Sequence, residues 1–169
     1  MQLLKDSNVI IKNGTITGNS GNPMTKMVIQ NYSNLTLDHV IVQDAGTDQY
    51  VLSNNFGEIH LKNGTEINAT GSHVAFDLWY GMKAAYDDGV TVYIDTPDVK
   101  INGPIEYGHE SRITDENQFL ARTHLYVCKG YDINSLTIVP SSPTSTGYEF
   151  KMNEEIGYWE LVPKSEVAK

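Results

Sequence analysis

The chain has 169 residues, with 12 Lys and Arg against 21 Asp and Glu, which gives a formal net charge of −9. This length fits a single domain over 1–169. The acidic balance repels phosphate backbones, and Arg112 and Arg122 are the only guanidinium groups, so direct nucleic-acid binding is not expected. Turn formers such as Gly and Asn are as frequent as the β-branched Thr, Ile and Val, which favours a β protein over a helical one.

The chain also lacks the usual membrane and export signals. No stretch approaches the ~18 uninterrupted apolar residues of a membrane helix, and residues 1–12 lack the basic start and apolar centre of a signal peptide. We therefore expect a soluble chain without membrane insertion. A cleaved leader or a longer parent protein stays open, because Leu3-Leu4-Lys5-Asp6 reads like a cut through ordered sequence.

The first part of the chain repeats itself. Residues 8–16 match residues 34–42 at a shift of 26, so that Val9, Ile11 and Ile16 align with Leu35, Leu37 and Val42. The tetrapeptide Lys-Asn-Gly-Thr at 12–15 recurs at 62–65, and a fourth related segment at 98–103 follows 40 residues after the third copy. A repeat of this kind predicts a stack of equivalent units.

Each repeat contains a second apolar segment as well. These segments are 27–29, 50–52 and 74–76, and turn formers separate them from the first set. Alternating apolar residues indicate strands with one inward face. A unit of about 25 residues cannot bury that face alone, so neighbouring units must cover it.

The pattern Asn-Val-x-Ile-x-Asn-Gly-x-Ile followed by Asn-Leu-x-Leu-Asp-x-Val-x-Val resembles the coils of right-handed parallel β-helix proteins of the pectin-lyase-like superfamily. The resemblance implies an all-β solenoid of about four coils over 1–110, with inward Ile, Val and Leu and with asparagines at the tight turns. Asn13, His39 and Asn63 occupy related turn positions, and Asn102 is shifted.

Two regions depart from the coil pattern. Residues 77–89 are rich in aromatic residues and are predicted to form an insertion between coils. Residues 111–169 are predicted to form a cap, with a short helix within 114–122 and a terminal hairpin formed by 148–152 and 158–162.

An enzyme hypothesis rests on a paired-carboxylate motif. The spacing of Asp87 and Asp88 from His109 resembles that of β-helical polygalacturonases, which implies that Asp87 or Asp88 is acid or base, that His109 orients them, and that Arg112 binds a uronate. Inverting hydrolysis needs carboxyl groups roughly 6.5–9.5 Å apart. The motif is incomplete here, because no Asn-Thr-Asp precedes the pair, and a solvated turn is the competing interpretation.

A binding hypothesis rests on aromatic side chains. Trp79, Tyr80 and Tyr86 in the predicted insertion, together with Tyr107, are expected to form a platform that stacks on sugar rings. The competing interpretation is that these rings seal the insertion onto the coils.

No metal or cofactor is expected. The five histidines show no zinc spacing, and the acidic residues are spread over turns rather than gathered in a calcium loop. The lone Cys128 cannot form an internal disulfide.

The sequence therefore favours a non-catalytic β-helix module of a bacterial cell-surface or phage structural protein, adhesive or in contact with glycans. Its expected partner is a polysaccharide or cell-surface glycan, and its expected location is extracellular, on the cell surface or in a virion. One alternative is a small polysaccharide-active hydrolase. Another is an assembly element of a homotrimeric fibre or spike, which would make the chain a homo-oligomer.

Overall fold

The chain is mostly β-structure, which confirms the all-β prediction. The computed structural model describes residues 1–18, 26–46, 49–81, 88–141 and 147–164. Its strands are β1 (Gln2–Leu3), β2 (Asn8–Thr17), β3 (Met27–Asn31), β4 (Asn34–Gln43), β5 (Tyr50–Asn54), β6 (Gly57–Lys62), β7 (Glu66–Asn68), β8 (Val74–Tyr80), β9 (Val90–Ile94), β10 (Lys100–Asn102), β11 (Ile105–His109), β12 (Thr123–Cys128), β13 (Ile138–Pro140), β14 (Tyr148–Asn153) and β15 (Tyr158–Pro163). The helical segments are α1 (Glu116–Leu120) and a 3₁₀ turn at Ile133–Ser135.

The strands form two sheets. Sheet A has the order β1-β3-β5-β8-β11-β13, and all of its pairs are parallel. In sheet B the pairs among β2, β4, β6, β9 and β12 are parallel, and β7 and β10 continue the sheet beside the second half of β4. The terminal strands β15 and β14 join sheet B in antiparallel orientation, so sheet B is mixed.

The register of the first repeat agrees with the prediction. Val9 lies opposite Leu35, and Ile16 lies opposite Val42, which is the predicted shift of 26 residues. Leu35 in turn lies opposite Ile59. Alternating apolar residues identified this register because moving a strand by one residue would turn its apolar side chains outward.

The fourth repeat is placed differently from its prediction. Ile101 lies opposite Ile67, so residues 98–103 follow β7 rather than the third copy at 58–65. On the side of β6 that faces away from β4, the neighbouring strand is β9, where Val92 lies opposite Ile59. The β9 segment has the same alternating pattern and the required length, which explains why it takes this position.

The core lies between the sheets. In sheet A, one buried row consists of Ile29, Leu52, Phe76 and Ile105, each in register with the next. Sheet B contributes a corresponding row of Leu35, Ile59, Val92 and Leu125, also buried and in register. Stacking these apolar side chains from strand to strand removes apolar surface from water. Each Å² buried in this way stabilises the fold by roughly 25 cal/mol.

The first part of the predicted insertion over 77–89 is strand. Residues 77–80 belong to β8, where Leu78 and Tyr80 are fully buried and continue the alternation begun by Phe76. Residues 82–87 lie outside the described residues.

The predicted helix and hairpin are both present. In α1, the side chain of Asp115 caps the N-terminus by accepting a hydrogen bond from the backbone N–H of Asn117. The strands β14 and β15 form an antiparallel hairpin, which docks onto β12 through β15. Within the described ranges, we find no helix with the length and apolar character needed to cross a membrane.

Candidate functional site

A row of polar side chains crosses the outer face of sheet A. Gln30, Ser53, Asp77 and Glu106 are in register on β3, β5, β8 and β11. Each of these four residues directly follows, in sequence, one member of the buried apolar row of sheet A. Successive side chains of a strand point to opposite faces of the sheet. The row therefore points away from the core.

The outer face is concave around this row. We call two neighbouring depressions on this face the sheet A groove, and Tyr50 lines both parts. One part, of about 290 Å³, is lined by Met27, Gln30, Tyr32, Tyr50, Ser53, Asn55, Asp77 and Trp79. The other, of about 340 Å³, is lined by Gln49, Tyr50, Ser72, His73, Val74 and Glu106.

Asp77 is the most buried carboxyl group of the groove, and it is 6% exposed. Its Oδ1 accepts a hydrogen bond from the backbone N–H of Asn54 at 2.6 Å, and its Oδ2 accepts one from the Ser53 hydroxyl at 3.1 Å. Burial raises the pKa of Asp77 to about 7, and the nearby Glu106 adds to the rise, whereas the two hydrogen bonds oppose it.

Glu106 lies beside Asp77 on the neighbouring strand. Its Oε2 accepts a hydrogen bond from the Tyr50 hydroxyl at 3.0 Å, which fixes the carboxylate beside Tyr50. Burial and the charge of Glu106 together raise the pKa of Tyr50 to about 12, so the phenol stays protonated and keeps donating.

A histidine stands at the rim of the groove. The Nδ1 atom of His73 lies 3.0 Å from Oδ2 of the buried Asp44. The backbone N–H and the hydroxyl of Thr70 also donate to Asp44, and the backbone N–H of Gly46 does too. Burial alone would raise the pKa of Asp44, but these hydrogen bonds outweigh it and hold the pKa below its ordinary value. The imidazole is thereby held in one orientation.

Of the predicted aromatic platform, Trp79 lines the groove. Tyr80 and Tyr107 belong to the core instead, because they are 0% and 1% exposed. The Tyr107 hydroxyl donates to the backbone carbonyl of Thr123, and the Tyr80 hydroxyl accepts from the Gln118 amide at 3.3 Å. Tyr86 lies outside the described residues.

The predicted catalytic residues occupy other surroundings. Asp88 is exposed in the turn before β9, and Asp87 lies outside the described residues. His109 is 1% exposed, with Nε2 at 2.9 Å from Oε2 of Glu116 and Nδ1 at 2.8 Å from the backbone oxygen of Glu110. Arg112 has a side chain that is 72% exposed and pairs with Glu110 at 3.1 Å. His109 is therefore a buried link between β11 and α1 rather than part of an outer groove.

The carboxyl pair of the groove was missed from sequence, although a signal for it exists. Each second apolar segment is followed directly by one polar residue, at 30, 53 and 77, and Glu106 follows Ile105 in the same way. Aligning the second segments by their buried residues would have placed these four side chains in one row.

The lining of the groove combines aromatic rings with hydrogen-bonding side chains. The rings of Trp79, Tyr32 and Tyr50 offer apolar faces, and Asn55, Gln30 and the carboxyl groups offer hydrogen bonds to hydroxyls. The described residues contain no group of three or more His, Cys, Asp and Glu side chains arranged to hold a metal ion.

Comparison with protein-family models, with curated proteins and with solved structures finds no match.

Proposed function

We propose that the chain is a non-catalytic right-handed parallel β-helix module of a bacterial cell-surface or phage structural protein, and that its sheet A groove contacts glycans. The observation that carries this proposal is the groove itself, in which Trp79 stands beside an ordered row of hydrogen-bonding side chains. The parallel pairing of sheet A and its 23-residue step from Gln30 to Ser53 support the solenoid.

The shape of the groove suits an extended chain of sugars. The polar row runs across neighbouring strands, which are about 4.8 Å apart, so Gln30, Ser53, Asp77 and Glu106 follow one line. Ser53 and Asp77 are 1% and 6% exposed, so the half-buried Gln30 and Glu106 offer the more accessible contacts to successive sugars. Aromatic faces stack on the C–H faces of sugars, and the polar row supplies directional contacts to hydroxyls.

A glycan array tests this function. The wild-type chain is expected to retain a set of glycans, and Trp79→Ala is expected to lose them because the stacking surface is removed. Trp159→Ala is the matched control, since Trp159 lies on the terminal hairpin. Circular dichroism establishes that both variants fold. Either an empty array or equal binding by Trp79→Ala would contradict the proposal.

A hydrolase is the second candidate, and a specific observation favours it. Asp77 and Glu106 are adjacent on the outer face, and burial raises the pKa of Asp77 to about 7. One protonated and one ionised carboxyl group are what acid-base cleavage of a glycosidic bond requires. In this candidate, Asp77 is the acid and Glu106 the base or nucleophile, in place of Asp87 and Asp88.

Activity assays separate the two candidates. If the groove hydrolyses glycans, the wild type releases reducing ends from an array-positive polysaccharide, and Asp77→Asn and Glu106→Gln each abolish the release. If it only binds them, no reducing ends appear at any enzyme concentration. Asp88→Asn is a control that keeps any activity, because Asp88 is an exposed turn residue outside the groove.

A further inference from the structure

We propose that the sheet A groove selects neutral and amino sugars and rejects uronic acids and other acidic sugars. This inference rests on the proposed glycan-binding function and names the chemical class of its ligand. It is carried by the charges that line the groove.

The described lining residues offer negative charge without a fixed positive one. Asp77 and Glu106 contribute two carboxyl groups, and no Lys or Arg is among these lining residues. A site that binds carboxylates or sulfates typically presents Arg or Lys in a bidentate or ion-paired geometry. Here Arg112 pairs with Glu110, and Arg122 donates to the backbone oxygen of Gln118.

His73 does not change this balance. It is the described lining residue that can acquire a positive charge, but its Nδ1 lies 3.0 Å from the Asp44 carboxylate, so a protonated ring would neutralise a charge already present. Asp44 therefore matches any charge on His73, and Asp77 and Glu106 are the carboxyl groups that line the groove.

The partners of Glu106 and Asp77 do not neutralise them either. The groups that donate to these carboxyls are the hydroxyls of Tyr50 and Ser53 and the backbone N–H of Asn54, all of which are neutral. A uronate would therefore place its carboxylate near these carboxyl groups, with no Lys or Arg among the described lining residues to pair with it. An ammonium group on the sugar would gain from the same charge.

The whole molecule reinforces the selection. A formal net charge of −9 lowers the local concentration of anionic polymers near every surface, although salt screens this effect over about 8–10 Å. The charges that line the groove then discriminate among the glycans that reach it.

A charge-sorted glycan array tests the inference. The array holds neutral, amino-sugar, uronic-acid and sulfated oligosaccharides of equal lengths, and it is probed at about pH 8 in low salt, where Asp77, whose pKa burial raises to about 7, is ionised. We expect neutral and amino-sugar hits with apparent affinities at least about tenfold above any acidic glycan. Hits drawn mainly from uronic-acid or sulfated glycans would overturn the inference and leave the glycan-binding function standing. An array with no hits would overturn the function itself, and the inference with it.

Two variants test whether the discrimination against acidic glycans arises in the groove. Glu106→Gln keeps an acceptor for the Tyr50 hydroxyl and removes one charge, so the discrimination against acidic glycans should shrink about three- to tenfold. Glu154→Gln is the matched control, because it removes the same charge from an exposed turn of the terminal hairpin and should leave the discrimination unchanged. Equal effects of the two variants would contradict a selection made in the groove, and thermal unfolding confirms that both are folded.

Discussion

Three residues at equivalent positions of the sequence repeat adopt the left-handed backbone conformation. Asn13, His39 and Asn63 have φ angles of 55°, 57° and 53°. Asparagine tolerates this region better than most side chains, because its short polar group can hydrogen-bond locally. The side chain of Asn63 instead donates to Asp38 Oδ1 on β4 at 2.8 Å. The repeated Lys-Asn-Gly-Thr motif is therefore a repeated left-handed bend, within β2 at 12–15 and at the end of β6 at 62–65.

The left-handed turn predicts the effect of two substitutions at Asn63. Asn63→Ala and Asn63→Gly both lose the hydrogen bond to Asp38, but only alanine brings a Cβ into a strained conformation. We expect Asn63→Ala to be less stable than Asn63→Gly by about 1 kcal/mol. Urea unfolding of the two variants measures this difference. Equal stability of the two would show that the turn carries no strain.

Asp77 makes stability depend on pH. Its pKa is about 7 in the folded chain against an ordinary value of 3.8, so the folded state holds a proton that the unfolded state has lost between these values. The stability that this proton contributes is present below about pH 4 and is lost as the pH rises through about 7. The loss is at most about 4 kcal/mol.

Asp77→Asn removes this dependence, since an amide does not titrate but can keep the hydrogen bond from Asn54. Relative to wild type, the variant should gain free energy of unfolding between pH 5 and pH 8, by about 1 to 3 kcal/mol. Urea unfolding at the two pH values measures the change. Asp88→Asn, in an exposed turn, is the control that should show no such gain. A gain of the same size in both variants, or no gain in either, would contradict the role assigned to Asp77.

At the scale of the elements, two strands of sheet B, β6 and β9, begin where the backbone passes very close to another chain segment. A Cβ added to Gly89 would overlap the backbone carbonyl oxygen of Arg122, and one added to Gly57 would overlap that of Ser33. Gly57 and Gly89 are also linked, because the Gly57 N–H donates to the Gly89 carbonyl at 3.1 Å. These glycines let β6 and β9 enter the sheet next to a neighbouring chain segment.

Gly89→Ala should therefore be severely destabilising, by about 3 kcal/mol or more, through overlap and backbone strain combined. Gly46→Ala is the matched control, because Gly46 has nearly the same φ, 88° against 86°, and nothing lies within 4 Å of its added Cβ. Gly46→Ala should cost only about 1 kcal/mol. Thermal or urea unfolding compares the two, and similar losses would mean that strain alone, not close approach, acts at Gly89.

The elements also show what sequence patterns can predict. The pairing of β2 with β4 was predictable because alternating apolar residues and the repeated Lys-Asn-Gly-Thr turn agree on one register. Asp77 was not recognised because the apolar run Leu78-Trp79-Tyr80 follows it and masks the alternation that makes Asp77 the outer neighbour of Phe76. Its pairing with Glu106 depends on the 28 residues between them, whose path no local pattern specifies.

At the scale of the molecule, the two ends of sheet B differ. The terminal hairpin covers β12, where Trp159 lies opposite Val127 and Leu161 is buried. At the other end, β2 pairs with β4 on one side, and within the described residues no strand pairs with its second side. Ile10 on this strand is 64% exposed. An edge strand of this length is prone to pairing with other chains.

Removal of the hairpin tests its covering role. A chain ending at residue 141 exposes the edge of β12 and the apolar groups that Leu161 covers, so we expect a lower unfolding temperature and association by light scattering. Full-length chain at the same concentration is the comparison. A truncated chain that stays monodisperse and equally stable would show that the hairpin is dispensable.

The groove is also a property of the whole molecule, because its residues come from four strands and the segments next to them, up to 79 residues apart in sequence from Met27 to Glu106. No short segment of the chain contains it. Its position on the outer face of sheet A leaves the core intact, so groove variants can change binding without unfolding the chain.

The central claim is that glycans bind in this groove beside Trp79, and tryptophan fluorescence tests it most directly. The chain has two tryptophans, so Trp159→Phe leaves Trp79 as the sole reporter, and Trp79→Phe leaves Trp159. On titration with the tightest array oligosaccharide, we predict a saturable emission change in Trp159→Phe and none in Trp79→Phe. A saturable change that remains with Trp159, or no change in either variant, would contradict the account.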